Sequence, residues 1–170
     1  GHAAGMTAEE VKALAREMFV LTGIEDDTVQ MTENMLLTFT QIKEDTMPGA
    51  TQAVLDMTVA MQGGGAQAEA YRDTAIRVGK ALQDPIAGVT ALRRVGVQLT
   101  DQQQEQVKAM MAVGDVAGAQ AIVLGELTLL FQFVTWPNIE CIRARVKREV
   151  GRGPGGAALC PQPGGTGRPP

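Results

Sequence analysis

Glycine and proline cut the first 131 residues into short lengths, and this punctuation limits the possible folds more than any other feature. Breaks fall at Gly23, Met47-Pro48-Gly49, Gly63-Gly64-Gly65, Asp84-Pro85, Gly96 and Gly114. Glycine ends helices in the left-handed conformation and proline cannot continue one, so no long rod can run through these points. Between the breaks the apolar residues recur at helical spacing. Thr7-Ala8-Glu9-Glu10 is a capping box that opens a helix, and Val11, Leu14, Ala15, Met18 and Phe19 then share one face. Glu25-Asp26-Asp27 places negative charge at the start of a second helix, expected from Asp27 to Lys43 with Val29, Leu36, Phe39 and Ile42 inward. Met47-Pro48-Gly49 should break that helix. Val54, Met57, Thr58 and Met61 repeat the spacing until the three glycines, which read as a flexible joint.

Later starts are sharper. Tyr71, Ala75, Val78 and Leu82 form one stripe, after which Asp84 is an N-cap carboxylate and Pro85 occupies the first helical position, where its missing N–H costs nothing. Ile86, Val89, Leu92 and Val95 give the next apolar edge before Gly96. Thr100-Asp101-Gln102-Gln103 is a second capping box leading to Val107, Met110 and Met111, and Gly114 stops that helix. Asp115 caps the last one, whose inward face is Val116, Ala119, Val123, Leu127 and Leu130, reaching Phe131.

With 4% aromatic residues and nine methionines, a core must be aliphatic and Met-rich, which favours helices over sheets. The expected fold is all-α: a compact array of about six to seven short helices joined by Gly/Pro turns, followed by a disordered C-terminal tail. Residues 1–6 read as a disordered N-terminus, 7–136 as one helical module, 137–150 as a basic segment with Arg143, Arg145, Lys147 and Arg148, and 151–170 as a disordered tail. That tail holds 12 Gly or Pro in 20 residues and cannot bury enough apolar surface to offset its conformational entropy. The start Gly1-His2-Ala3, without Met, suggests a piece cut from a longer translation product or a cloning remnant.

The net charge of −4 conceals a division: residues 1–137 carry 9 basic and 17 acidic side chains, residues 138–170 carry 6 and 2. An acidic body does not replace the counterions of a phosphate backbone, so nucleic acid is an unlikely partner for it. The basic run from Arg143 to Arg148 reads as a solvated helix face. The apolar stretch Leu127 to Val134 is far shorter than the roughly 20 residues that span a bilayer. Cys141 and Cys160 lack metal-ligand spacing, and the cysteine-free body points to a reducing setting.

Catalytic chemistry finds few footholds. The chain has no serine, so a serine triad is impossible, and its one histidine, His2, lies at the extreme end. Paired carboxylates could hydrolyse glycosidic bonds, but Glu9, Glu10, Glu33, Glu44, Asp45 and Glu105 read as caps or solvated faces. Gly151-Arg152-Gly153-Pro154-Gly155-Gly156 lacks the strand, helix and Gly-Lys-Ser/Thr ending of a phosphate loop. Met31, Met35, Met57, Met61, Met110 and Met111 read as core packing before partner surface. The expectation is no enzyme, no cofactor and no metal.

Four blocks of sequence carry a resemblance. The first is Met35-Leu36-Leu37-Thr38-Phe39-Thr40-Gln41-Ile42 and the second Ala53-Val54-Leu55-Asp56-Met57. The third runs from Val78 to Val97 and contains Gly79-Lys80-Ala81-Leu82, Asp84-Pro85, Gly88, Leu92 and Val95-Gly96-Val97. The fourth runs from Leu99 to Ala109 with Thr100 and Gln103, then Gly114-Asp115, Gly118-Ala119-Gln120 and Gly125-Glu126-Leu127. In their order and spacing, over residues 10–131, these blocks resemble the tail tape measure proteins of long-tailed phages and prophages. The resemblance implies a virion structural role in tail assembly and tail length determination. It also implies a place inside the tail tube after assembly in the host cytoplasm. The implied partners are other copies of the chain, tail tube subunits and tail assembly chaperones, with no small-molecule substrate.

A helix rises about 1.5 Å per residue, so a long helical protein can measure a tube by its residue count. A string of short helices folds back instead, so the expected unit is a module of such a protein outside its measuring coiled coil. After Phe131 the family pattern gives way to Gln132-Phe133-Val134-Thr135-Trp136 and the basic tail, consistent with a frameshift or truncated reading frame. Two alternatives remain from other classes: a helical interaction or regulatory module with a basic tail, and a fragment of a tail-associated wall-degrading protein.

Overall fold

The computed structural model describes residues 5–63 and 65–131, and within them every regular element is a helix. In chain order these are α1 (Ala8–Thr22), α2 (Asp26–Leu36), α3 (Met47–Gln62), α4 (Ala68–Gln83), α5 (Pro85–Leu92), a 3-10 turn (Arg93–Val95), α6 (Asp101–Ala112) and α7 (residues 116–131). The fold is all-α, as the periodicity predicts. The expectations for residues 1–4 of the N-terminus, for residues 132–136, for the basic segment 137–150 and for the tail 151–170 lie outside the described residues, as does Gly64.

Most helix ends follow the local signals. Thr7 caps α1 through a reciprocal box: its hydroxyl accepts from Glu10 N, and Glu10 Oε2 accepts from Thr7 N at 2.7 Å. Those bonds hold the exposed Glu10 carboxyl below the usual range. Asp84 Oδ1 accepts from Ile86 N and Ala87 N, both at 3.1 Å, and Pro85 follows at the start of α5. Thr100 and Gln103 form the second box, and Asp115 Oδ1 accepts from Gly118 N at 2.9 Å. Gly23 and Gly96 take φ of 72° and 93°, the left-handed values that only glycine adopts without strain.

The second helix departs from expectation. It ends at Leu36, not Lys43, because the bonds Thr38 N to Met35 O and Phe39 N to Leu36 O tighten the chain into turns. Tertiary packing outweighs the periodicity there. The Phe39 ring fits over Gly79 of α4, where a Cβ would overlap it, and Ile42 is fully buried from an irregular segment. Met47-Pro48-Gly49 likewise opens α3 instead of breaking a helix, since proline is tolerated in a first turn.

Helix α3 is the centre of the body. Its residues Ala53 to Thr58 are consecutively buried, which requires neighbours on every side. It packs on α2 and α4, and less extensively on α1, while Gly49 lies against Leu124 of α7. Helix α2 also packs on α1 and α4, and α5 bridges α4 to α6. One core runs through all seven helices, including Leu14, Leu36, Leu55, Leu82, Val107 and Leu127. Met6 packs against that core, so ordered packing begins before the first helix. Four residues expected inward are exposed: Phe19, Met61, Ile86 and Leu130. Each stands at the edge of its stripe or in a terminal turn, where helical spacing no longer guarantees a neighbour. Of the other methionines in the stripe, Met57 is buried and Met31, Met35, Met110 and Met111 pack partly against the core.

Candidate functional site

Three of the four blocks quoted above come together around one junction of helix ends. Block one reaches block three where Phe39 covers Gly79 and where Gln83 Nε2 donates to Thr40 Oγ1 at 3.1 Å while Gln83 Oε1 accepts from Gln41 N at 3.2 Å. Within block three, Gly88 of α5 sits so tightly against Ala81 of α4 that a Cβ would overlap its backbone. Asp84 caps the elbow between them. Leu92 and Val97 are buried on the far side of α5, Val95 is half-buried, and Val97 N donates to Leu92 O around Gly96. Lys80 and Thr38 remain exposed.

Block four enters through Gln120, buried on α7. Its Nε2 donates to Gln41 O and to Leu82 O, both at 2.9 Å, and its Oε1 accepts from Thr46 Oγ1 at 3.1 Å. Leu82 O belongs to the last turn of α4, where carbonyls have no partner further along the helix. One side chain thus satisfies groups on three elements. The Thr46 hydroxyl donates to Gln120, and Thr46, with helical backbone angles and Pro48 nearby in the first turn, makes no side-chain cap for α3. Gln103 joins α6 to α7 in the same manner: its Oε1 serves the Thr100 cap and its Nε2 donates to Glu126 Oε1. Gly114 turns the chain at φ 79°, and Gly118 leaves room for the Asp115 carboxylate and the Met110 sulfur. Ala119 is fully buried beside Gln120. Block two stands apart, with Leu55 and Asp56 both buried on α3.

A second polar feature lies in the interior of the body. Glu33 of α2 is fully buried, and neither carboxyl oxygen has a hydrogen-bond partner. This corrects the expectation that Glu33 lies on a solvated face. Burial pushes its pKa up to about 8, so the protonated form predominates at neutral pH. Thr51, on the adjacent α3, is also buried with its hydroxyl unpartnered. The contrast with other buried threonines is direct: Thr32, Thr58 and Thr74 each donate to the carbonyl four residues back, at 2.7 to 2.9 Å. Tyr71, buried on α4, has its pKa raised by burial as well.

Sequence reasoning passed over Gln120, Glu33 and Thr51 as singular positions, although a signal existed for each. Glu33 stands four after Val29 and three before Leu36, within the stripe assigned to the core. Gln120 stands three before Val123 and seven before Leu127, and Thr51 three before Val54. A polar residue inside an apolar stripe is the mark of a buried polar group.

The Glu33 carboxyl is closed off from solvent in this fold. Glu9, Glu10, Glu44, Asp45 and Glu105 are exposed, and Lys108 pairs with Glu105 on the surface. Among the described residues no group of three His, Cys, Asp or Glu is arranged to hold a metal ion, and no helix is long and apolar enough to cross a membrane. Comparison with protein-family models, with curated proteins and with solved structures gives no match.

Proposed function

We propose that this chain is a helical module of a phage or prophage tail tape measure protein, a structural part of the tail and not an enzyme. The reading rests on the four ordered blocks of resemblance over residues 10–131. It draws support from where those blocks lie: several of their residues, Gly79, Asp84, Gly88, Gln103 and Gly118, are packing notches and caps at helix junctions, not members of a reacting group. Such residues preserve a shape, which is what a structural component requires of its sequence. The module acts through contacts with other copies, tail tube subunits and assembly chaperones, in the host cytoplasm during assembly and in the tube lumen afterwards. Its helices are too short and too folded back to measure length themselves.

Fractionated particles from an induced lysogen test the reading. Peptides from residues 5–131 are expected in purified tails, at a constant ratio to the tube subunit and absent from isolated heads. Recovery of those peptides only from the soluble host fraction would sink the proposal.

A further inference from the structure

Helices α1 to α4 end at two unlike places. Short connections after Thr22 and after Gln62 make α1 antiparallel to α2 and α3 antiparallel to α4. Phe39 covers Gly79 and Gln41 N donates to Gln83 Oε1, so the chain leaving α2 meets the last turns of α4, and these two helices run the same way. The α1–α2 and α3–α4 turns therefore lie at one end of the body and the Gln120 junction at the other. The junction is closed by packing and hydrogen bonds, but the turn end is open. Phe19 and Val20 in the last turn of α1 and Met61 in the last turn of α3 are exposed there. Around them stand the exposed carboxylates of Glu17, Glu25, Asp26, Asp27 and Glu69. Arg16 and Arg72 are the basic residues within two turns of this end, and among the described residues none of these five acids forms an ion pair.

Exposed apolar side chains ringed by carboxylates without cations suit a segment that combines apolar and basic groups. This chain carries such a segment. Ile139, Ile142, Val146 and Val150 recur at i, i+3, i+7 and i+11, the spacing of one helix face. Arg143, Arg145, Lys147 and Arg148 stand among them, against two acids, Glu140 and Glu149. We propose that residues 138–150 dock on the acidic turn end of their own molecule. Their isoleucines and valines cover Phe19, Val20 and Met61, and their basic groups meet the carboxylates of Glu25, Asp26 and Asp27. The spacer is long enough: Phe131 is held in the core, and the stretch from it to Asn138 extends to about 23–25 Å. Helix α3, with 16 residues, is about 24 Å long, so the segment reaches this end from any point along it. Tethering favours the molecule's own segment over a second copy, because a short linker gives an effective concentration on the order of millimolar. Docking also relieves the mutual repulsion of three adjacent acids at the start of α2. The contact does not depend on the tape measure reading and would form in a module of any function.

Carbodiimide coupling of the full chain, which joins a lysine amine directly to a carboxylate it touches, tests the contact, since Lys147 is the one lysine beyond Lys108. Mixing equal parts of unlabelled and isotope-labelled protein separates docking within a molecule from docking between copies. Lys147 is expected to couple to the peptide holding Glu25, Asp26 and Asp27, within chains of a single label. The yield should fall about threefold or more between about 50 and about 500 mM salt. Phe19→Lys keeps every carboxylate but places a cation among them, and should lower the yield about fivefold. Val20→Lys serves the same purpose should the first variant fail to fold. Ile86→Lys, at an exposed apolar position on α5, should leave the yield unchanged. Coupling that is absent from this peptide, or spread equally over Glu44, Asp45 and Asp101, would mean that the acidic end is not the docking site. Products that join the two labels would make a second copy the occupant. Either result, or a yield that Phe19→Lys and Val20→Lys leave unchanged, or one that Ile86→Lys lowers equally, would overturn the proposal.

Discussion

Two long polar side chains in the interior of this protein, Gln120 and Glu33, are treated in opposite ways. At the α4–α7 junction, Gln120 is enclosed with a partner for each end of its amide. In α2, Glu33 is enclosed with none. Both side chains are long, polar and almost wholly inaccessible, so burial by itself does not separate them. Their surroundings do: Gln120 meets the last turn of a helix and an irregular segment, both with backbone groups that no helix satisfies, while Glu33 meets helix flanks whose backbone is already paired. Gln120, buried at helix ends, therefore ties this fold together, whereas the unpartnered Glu33 weakens it.

Removing the better-satisfied group should have the largest effect. Gln120→Ala leaves the carbonyls of Gln41 and Leu82 without their amide donor and opens a cavity, with an expected loss of about 4 kcal/mol in urea denaturation. A loss below about 1 kcal/mol would erase the contrast with Glu33. The opposite sign is expected for Glu33. Its folded pKa of about 8 lies above its unfolded value, so its stabilising contribution is complete below about pH 4.3 and is lost as pH rises toward 8. The protein should lose about 2–3 kcal/mol between pH 5 and pH 7 from this group alone, and Glu33→Gln should flatten that dependence. Equal slopes in the two proteins would show that the carboxyl finds a partner. Cap replacements then sharpen the comparison at smaller scale. Asp84→Ala, at the α4–α5 elbow, should cost about 1 kcal/mol and reduce exchange protection in both helices. Thr7→Ala should cost less, about 0.5 kcal/mol, with the change confined to α1. If Thr7→Ala destabilised the whole protein as much as Asp84→Ala, the start of α1 would matter to the core as much as the α4–α5 elbow does.

The parts of the fold legible in the sequence are those governed by neighbours along the chain. Thr7, Asp84, Thr100 and Asp115 cap helices through bonds spanning two or three residues, so a short string contains all the necessary chemistry. Gly23 and Gly96 were readable for the same reason. The end of α2 was not, because the local pattern through Phe39 and Ile42 is helical and the force that breaks it is the notch at Gly79, forty residues away in the chain. The exposed Phe19 and Leu130 show the same limit in reverse: spacing selects a face, but whether a neighbour covers its last residue is a tertiary matter. For the polar interior, a charge within an apolar stripe was visible at Glu33. Reading glutamate as solvated by default concealed it, since ionised carboxylates are almost never enclosed unpaired, and this one is enclosed as the neutral acid.

The amide of Gln120 also places a constraint on how the protein is made. Its two acceptors lie 79 and 38 residues earlier in the chain. At a synthesis rate of about 5–20 residues per second, the carbonyl of Gln41 exists for about 4–16 seconds before its partner is translated. Every helix from α1 to α6 is therefore synthesised before the side chain that closes this junction, and until then the carbonyls of Gln41 and Leu82 have only water to accept from.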